Sequence, residues 1–258
     1  MKDVEPTKLS LKSGFRFRCH KGIKCFTKCC SNINILLTPY DVVRMKKRLD
    51  ISSEEFLDRY TSMEIDDKSK QPLVRLKMTD DDKKNCPFVT PEGCTIYTDR
   101  PANCRYYPIG QGTLRKEGKE GVVNEEFYFF VRELHCLGYQ EDKEWTIESW
   151  RIDQGVDIYD EMNREWKEIQ LRRHPLLKEL DSNKQAQIYT ASYDMDRFRR
   201  YVFNSKFLDV FDIDKNDVER IKADDTALMK FGFKYIKFLL MLEDTMKVKE
   251  GYIRKADI

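Results

Sequence analysis

Eight cysteines constrain this chain more than any other feature, because all of them fall within the first 136 of its 258 residues. They are Cys19, Cys25, Cys29, Cys30, Cys86, Cys94, Cys104 and Cys136, and residues 137–258 contain none. So many thiols either pair with one another or hold something together. The opening residues, MKDVEPTKLSLKSGF, lack the apolar core of a secretion signal. The longest notable apolar run, Phe238 to Leu242, is far short of the roughly 20 apolar residues a membrane span needs. The expectation is therefore a cytoplasmic protein without a membrane segment. In a reducing compartment stable disulfides are rare, and the chain is too long for a small secreted disulfide scaffold. Net charge of +2 at 36% charged residues selects no partner by itself.

Metal ligation is the remaining use for the thiols. Thiolates favour zinc, copper(I) and iron–sulfur clusters over magnesium or calcium. A structural zinc takes four ligands, and an iron–sulfur cluster commonly takes four cysteines. Eight thiols suffice for two such centres, or for one with some left free. The cysteines come as Cys19-x5-Cys25-x3-Cys29-Cys30, then Cys86-x7-Cys94-x9-Cys104, then Cys136 alone. Neighbours in an extended segment point to opposite sides, so Cys29 and Cys30 are expected to serve two centres, or one as ligand and the other as a buried or redox-active thiol.

Between residues 6 and 40 stand Lys8, Lys12, Arg16, Arg18, Lys21, Lys24 and Lys28, with no acidic residue. Nearby cations are expected to lower thiol pKa values. A nucleic-acid patch is the rival reading, disfavoured because the stretch has no basic recognition helix. His20 and His135 adjoin cysteines, and with eight thiols present they read as supports rather than ligands. Arg100 and Arg105 flank Cys104, either hydrogen-bonding the cysteine loop or lying on the surface as plain charge. Tyr97, Tyr106 and Tyr107 read as cover for the metal loops or as core. No phosphate-cradling loop, dinucleotide fingerprint or serine elbow is present, and no catalytic residue is identified.

The fold class expected is α+β: a small, mixed, loop-rich cysteine domain over 1–140, followed by a mainly helical region over 141–258. Thr38-Pro39 starts a helix running to about Leu49. Ser52 and Glu55 have capping-box spacing for a second. Residues 73–78 and 127–132 read as strands, the latter after a charged turn with Gly118 and Gly121, whereas 79–113 shows little periodicity. Helical spacing returns with Tyr159, Met162, Trp166 and Ile169. It continues from Pro175 through Leu176, Leu177 and Leu180, at Phe198 to Phe203, and over 224–246. Asp212, Asp214, Asp217, Asp224 and Asp225 read as caps and solvated faces.

Several short segments together carry a resemblance: the cluster ending in Cys29-Cys30, Leu37-Thr38-Pro39-Tyr40-Asp41, Cys86-Pro87-Phe88, Cys94-Thr95-Ile96-Tyr97, Arg100-Pro101-Ala102-Asn103-Cys104-Arg105-Tyr106-Tyr107-Pro108, and Cys136 near the end. Over roughly residues 15–140 the chain resembles the zinc- or iron-chelating cysteine-cluster family with its CxxCxxCC-type signature. Its opening spacing is wider than the family's. The resemblance implies chelation of zinc or iron, an iron–sulfur cluster included, by the eight cysteines. A flagellin lysine methylase carries a similar cluster, but nothing in residues 137–258 identifies a methyl-donor site. An iron-dependent redox or protein-modification enzyme and a structural-zinc interaction module are the alternatives; the protein partner of such a module is not specified by the sequence.

Overall fold

The computed structural model describes residues 3–4, 8–118, 121–171 and 180–252. The fold is α+β, with helices and several small sheets and, among the described residues, no barrel. Among the described residues no helix is long and apolar enough to cross a membrane. The chain forms two compact units, each discontinuous in sequence: residues 1–37 with 76–161, and residues 38–75 with 162–258.

The first unit holds all eight cysteines. Its longest feature is an antiparallel hairpin of Ile109–Gly118 and Gly121–Arg132, in register from Ile109 opposite Phe130 to Gly118 opposite Gly121. The second strand contains the expected strand at 127–132. The first was not expected, because its glycines break the alternation that marks a strand. Gly110 and Gly112 stand across from Phe129 and Phe127, and a Cβ at either would lie 2.4 Å from a ring carbon of that partner. The missing side chains make room for the rings. A short ladder joins Gly14–Arg16 to Glu144–Thr146, with Phe15 opposite Trp145. The helix Ile147–Gln154 follows directly, capped by the Thr146 hydroxyl. Phe17, Tyr106, Ile109, Tyr128, Phe130, Ile147, Trp150 and Val156 form the core, with Phe15, Tyr107, Cys136, Tyr139 and Trp145 packed against it. Phe17 meets Tyr139, Trp150 and Tyr107 edge-on at 5.4, 5.6 and 6.0 Å, the geometry ring quadrupoles favour.

The second unit begins where the sequence places its first helix. Pro39–Leu49 starts with a capping box in which Thr38 accepts from the Asp41 amide at 3.2 Å and Asp41 from the Thr38 amide at 2.8 Å. In Ser53–Tyr60 only half of the expected box forms: Ser52 accepts from the Glu55 amide, while the Glu55 carboxylate pairs with Arg59 at 2.6 Å. The expected strand at 73–78 is Pro72–Leu76, which buries Pro72, Val74 and Leu76 and lies beside Thr61–Ile65. Helices Ser182–Tyr193, Met195–Asn204 and Lys215–Ala223 pack against Asp225–Leu239. That last helix ends at Leu239, short of the expected 246; Met241 turns back with φ 53° and the Leu242 amide bonds the Lys237 carbonyl. It buries Met229, Phe233 and Ile236 as well as the expected Leu228, Phe231 and Tyr235, so two of its faces are core. In Asp157–Leu171 the buried positions are Tyr159, Asn163, Trp166 and Ile169, while Met162 is only half-buried. The helix expected from Pro175, with Leu176 and Leu177, and His174 beside it lie outside the described residues.

Asp214 and Asp224 cap helices as expected, accepting from the Asn216 and Ala227 amides. Asp225 does not lie on a solvated face. It binds Lys46 at 2.7 Å and Arg199 at 2.5 Å, and both cations also reach Asp196, at 3.2 and 3.3 Å. Lys46 is itself buried, at 7% exposure, so its charge requires these partners.

Candidate metal centre

The eight cysteines are free thiols: Cys19 exposed, Cys25 buried, and Cys29, Cys30, Cys86, Cys94, Cys104 and Cys136 half-buried. The opening segment is held against residues 136–145 by backbone and side chain alike. The Arg18 amide bonds the Gly138 carbonyl at 3.1 Å, the Phe17 amide bonds Lys143 at 2.9 Å, and the Trp145 indole bonds the Phe17 carbonyl at 2.8 Å. The Leu137 amide donates to the Cys25 sulfur at 3.2 Å. These contacts bring Cys136 to the first group although it lies more than a hundred residues away in the chain. Gly138 is required at this junction, since a Cβ there would come within 2.5 Å of the Phe17 ring.

Cys19, Cys25, Cys29 and Cys136 act on one another electrostatically. Burial, then Cys29, Cys25 and Cys136 in turn, push the Cys19 thiol up to about 11. Burial, Cys25 and Cys29 raise Cys136, against the lowering influence of the Tyr107 hydroxyl and the Gly138 amide. Four soft donors that repel one another when charged form a site that a cation would stabilise. The seven basic residues of this stretch were expected to lower the thiol pKa values, yet none figures among the main influences on Cys19, Cys29 or Cys136, all of which are raised. Each is exposed, where solvent weakens its field, and burial together with the neighbouring thiols sets the direction instead.

Cys29 and Cys30 are not extended, as expected, but lie in the 3-10 turn Lys28–Cys30, entered through Thr27 at φ 66°. The Cys29 thiol hydrogen-bonds Cys30, and this contact and burial hold it well above the ordinary thiol range. The Cys30 carbonyl accepts from the Cys86 amide at 2.7 Å. Cys86 stands just before the hairpin Val89–Thr90 and Gly93–Cys94, in which Cys94 pairs with Val89. Burial raises both, Cys86 to about 11, against bonds from the Phe88 and Ile96 amides. Cys104 lies on the short helix Ala102–Tyr106.

Arg100 and Arg105 are both buried and hold this second loop together. Arg100 donates to the Tyr97 carbonyl at 2.6 Å and to the Gln154 side chain, with its guanidinium 3.8 Å from the centre of the Tyr97 ring. Arg105 donates to the carbonyls of Arg100 at 3.2 Å, Gln154 at 2.7 Å and Thr98. Of the two readings for these arginines the structure thus favours loop support. The tyrosines divide three ways: Tyr106 is core, Tyr97 is exposed under Arg100, and Tyr107 lies at the first thiol group.

His20 and His135 make their contacts with groups other than the thiols. His20 accepts from the Gly22 amide through Nδ1 and contacts Glu141 through Nε2 at 3.1 Å, so both ring nitrogens are occupied. His135 contacts Glu133 at 3.3 Å. Glu133 itself is nearly buried and acts on both Cys29 and Tyr107. Sequence reasoning missed it, because nothing distinguishes it from the other carboxylates of the chain.

The donor set suits a thiophilic metal in chemistry and surroundings. Sulfurs of Cys25, Cys86, Cys94 and Cys136 each receive a backbone N–H, which favours the thiolate a metal requires. The Tyr107 hydroxyl is raised by burial and then by its contact with the Cys136 sulfur, and a thiolate there would accept its hydrogen bond. Among the described residues, however, no three His, Cys, Asp or Glu side chains stand close enough to hold an ion as they are. No curated protein and no solved structure gives a significant match to the chain. Residues 18–142 match the model of the CxxCxxCC family, described as "Putative zinc- or iron-chelating domain".

Proposed function

We propose that this protein chelates zinc or iron through its clustered cysteines in the cytoplasm, with Cys19, Cys25, Cys29 and Cys136 at the heart of the site. The observation that supports the reading is that segments far apart in sequence bring Cys136 toward the first cysteine group, with the Leu137 amide donating to the Cys25 sulfur at 3.2 Å and the Arg18 amide to the Gly138 carbonyl at 3.1 Å. A bound metal would be held by these thiols as thiolates, so binding would release their protons. The protein's part is to supply soft donors, to stabilise their charge with amide hydrogen bonds, and to keep water off one side through Phe17, Tyr107 and Tyr139. A bound zinc would supply a structural crosslink, and iron, alone or in an iron–sulfur cluster, would supply redox capacity.

Purification without oxygen, followed by a visible spectrum and assays for zinc, iron and acid-labile sulfide, tests the reading. Zinc near stoichiometry without colour supports a structural centre, and colour with iron and sulfide supports a cluster. A folded, metal-free protein with its cysteines in disulfides would sink it.

A further inference from the structure

We infer that the second unit carries a docking groove for an extended, basic segment of a partner protein, which adds a strand to the open edge of Thr61–Ile65 and sets a lysine or arginine side chain against Asp194. The inference goes beyond chelation, since none of the cysteines belongs to this unit.

The strand supplies the main-chain half of the site. Thr61–Ile65 pairs on one side with Pro72–Leu76 and stands last in its sheet. Among the described residues no backbone bond beyond that pairing reaches the main chain of residues 62–65. All four are exposed, Met63 at 51% and Ile65 at 36%. Edge strands are commonly guarded by lysine or proline, and this one contains neither. Its outer N–H and C=O groups are therefore open to another extended chain. Side chains alternate along a strand, so Thr61, Met63 and Ile65 share one face. Glu64, on the other, is taken up by Arg75 at 2.7 Å.

The cleft beside that face selects the partner's charge. It has a volume of about 390 Å³, and its lining includes Thr61 and Met63 and three carboxylates, Glu54, Asp58 and Asp194, against one cation, Arg197. Glu54 already pairs with Arg200 at 2.6 Å. Asp194 is the group that points to a ligand. It is only 4% exposed. Its Oδ1 accepts from the Ser53 hydroxyl at 2.6 Å and from the Arg197 amide at 3.2 Å, whereas its Oδ2 has no partner among the described residues. Burial first, with Glu54 and Asp196 adding to it, raises this carboxyl against those two bonds. A buried carboxylate with one bare oxygen and acidic neighbours is costly, and an incoming ammonium or guanidinium offsets that cost. The Tyr189 ring lines the same cleft, and aromatic rings attract cations. A docked segment thus places its cation in the cleft and, two residues away on the same face, an apolar side chain over Met63 or Ile65. Edge-to-edge pairing of two copies would leave Asp194 unmatched, because Thr61–Ile65 holds no lysine or arginine.

Heptapeptides of random sequence, displayed on phage, are selected against the full-length chain, and the enriched sequences are synthesised. Lysine or arginine is expected at one position, with an apolar residue two places away. Binding of such a peptide, read by fluorescence anisotropy, is expected to weaken about tenfold in Asp194→Asn. The asparagine carbonyl still accepts from Ser53 and Arg197, so the helix cap is kept. Norleucine in place of the peptide's cation should cost a similar factor in wild type and little more in D194N, because the two changes remove one contact. N-methylation of alternate peptide amides should abolish binding in one register and spare it in the other, as strand addition requires. Met63→Lys, at an exposed position, should also weaken binding, and it and the peptide analogues decide the matter if D194N does not fold. Failure to enrich any peptide, enrichment without a cationic position, or equal binding by wild type and folded D194N would overturn the proposal. A wild-type dimer that M63K disperses would overturn it too, by placing a second copy on the edge.

Discussion

Gly138 joins two tasks in one residue: its amide faces the Cys136 sulfur, its carbonyl receives Arg18, and its bare Cα lets the Phe17 ring approach. Gly138→Ala forces a methyl group into that ring, and overpacking of this kind costs about 1–3 kcal/mol. The expected outcome is a lower denaturation midpoint in urea together with weaker metal binding, because the same shift moves the amide off the sulfur. An unchanged midpoint would show that Phe17 yields freely. At this scale the sequence was informative about identity and poor on environment. It listed every thiol, yet placed Cys29 and Cys30 in an extended segment, overlooked Glu133 and reversed the direction of the thiol shifts. Burial decides those shifts, and burial of a loop residue depends on what the rest of the chain lays over it.

Helix starts were the most legible elements, because a cap is a contact between residues two or three apart. Thr38 with Asp41, Ser52, Asp214 and Asp224 all occupy such positions. Thr38→Ala removes the hydroxyl that receives the Asp41 amide, and loss of such a cap costs about 1 kcal/mol. Hydrogen exchange should quicken at the first turn of Pro39–Leu49 while Asp225–Leu239 is unaffected; equal protection in both proteins would refute the cap's role. The strand Ile109–Gly118 was illegible for the opposite reason. Its glycines make sense only beside Phe127 and Phe129, which belong to the partner strand.

For the molecule as a whole, two dependences separate the units. In the second, burial alone would raise Asp196 and Asp225, but the Ser53 amide and Lys46 outweigh it for the former, and Arg199 and Lys46 for the latter, so both are held below the ordinary 3.8. A carboxylate depressed by folding stabilises above its unfolded pKa, and that stability is lost as pH falls through the folded value. Asp194 is raised, by burial first, and acts in the reverse sense. Stability of Asp225→Asn should therefore fall less steeply than wild type as pH drops below about 4, measured by urea unfolding at stepped pH; parallel curves would contradict the pairing. In the first unit, removal of metal should raise hydrogen exchange across residues 14–37 and 80–106, with 182–239 unchanged. Uniform loosening of the whole chain, or none, would show that the thiols do not organise this unit.

The sequence by itself determined the inventory: eight soft donors in one half of the chain, the helix starts that follow from local caps, and the family resemblance over roughly residues 15–140. Which thiols share a neighbourhood was left to the tertiary structure. Cys136 joins Cys19 and Cys25 through a two-stranded ladder, and Cys30 meets Cys86 through a backbone bond across more than fifty residues. Ligand sets are non-local contacts, and spacing along a chain determines them only when the intervening residues fold as one short loop. Here a hairpin, two short helices and a buried pair of arginines intervene, so the grouping of the cysteines emerges only when those elements pack.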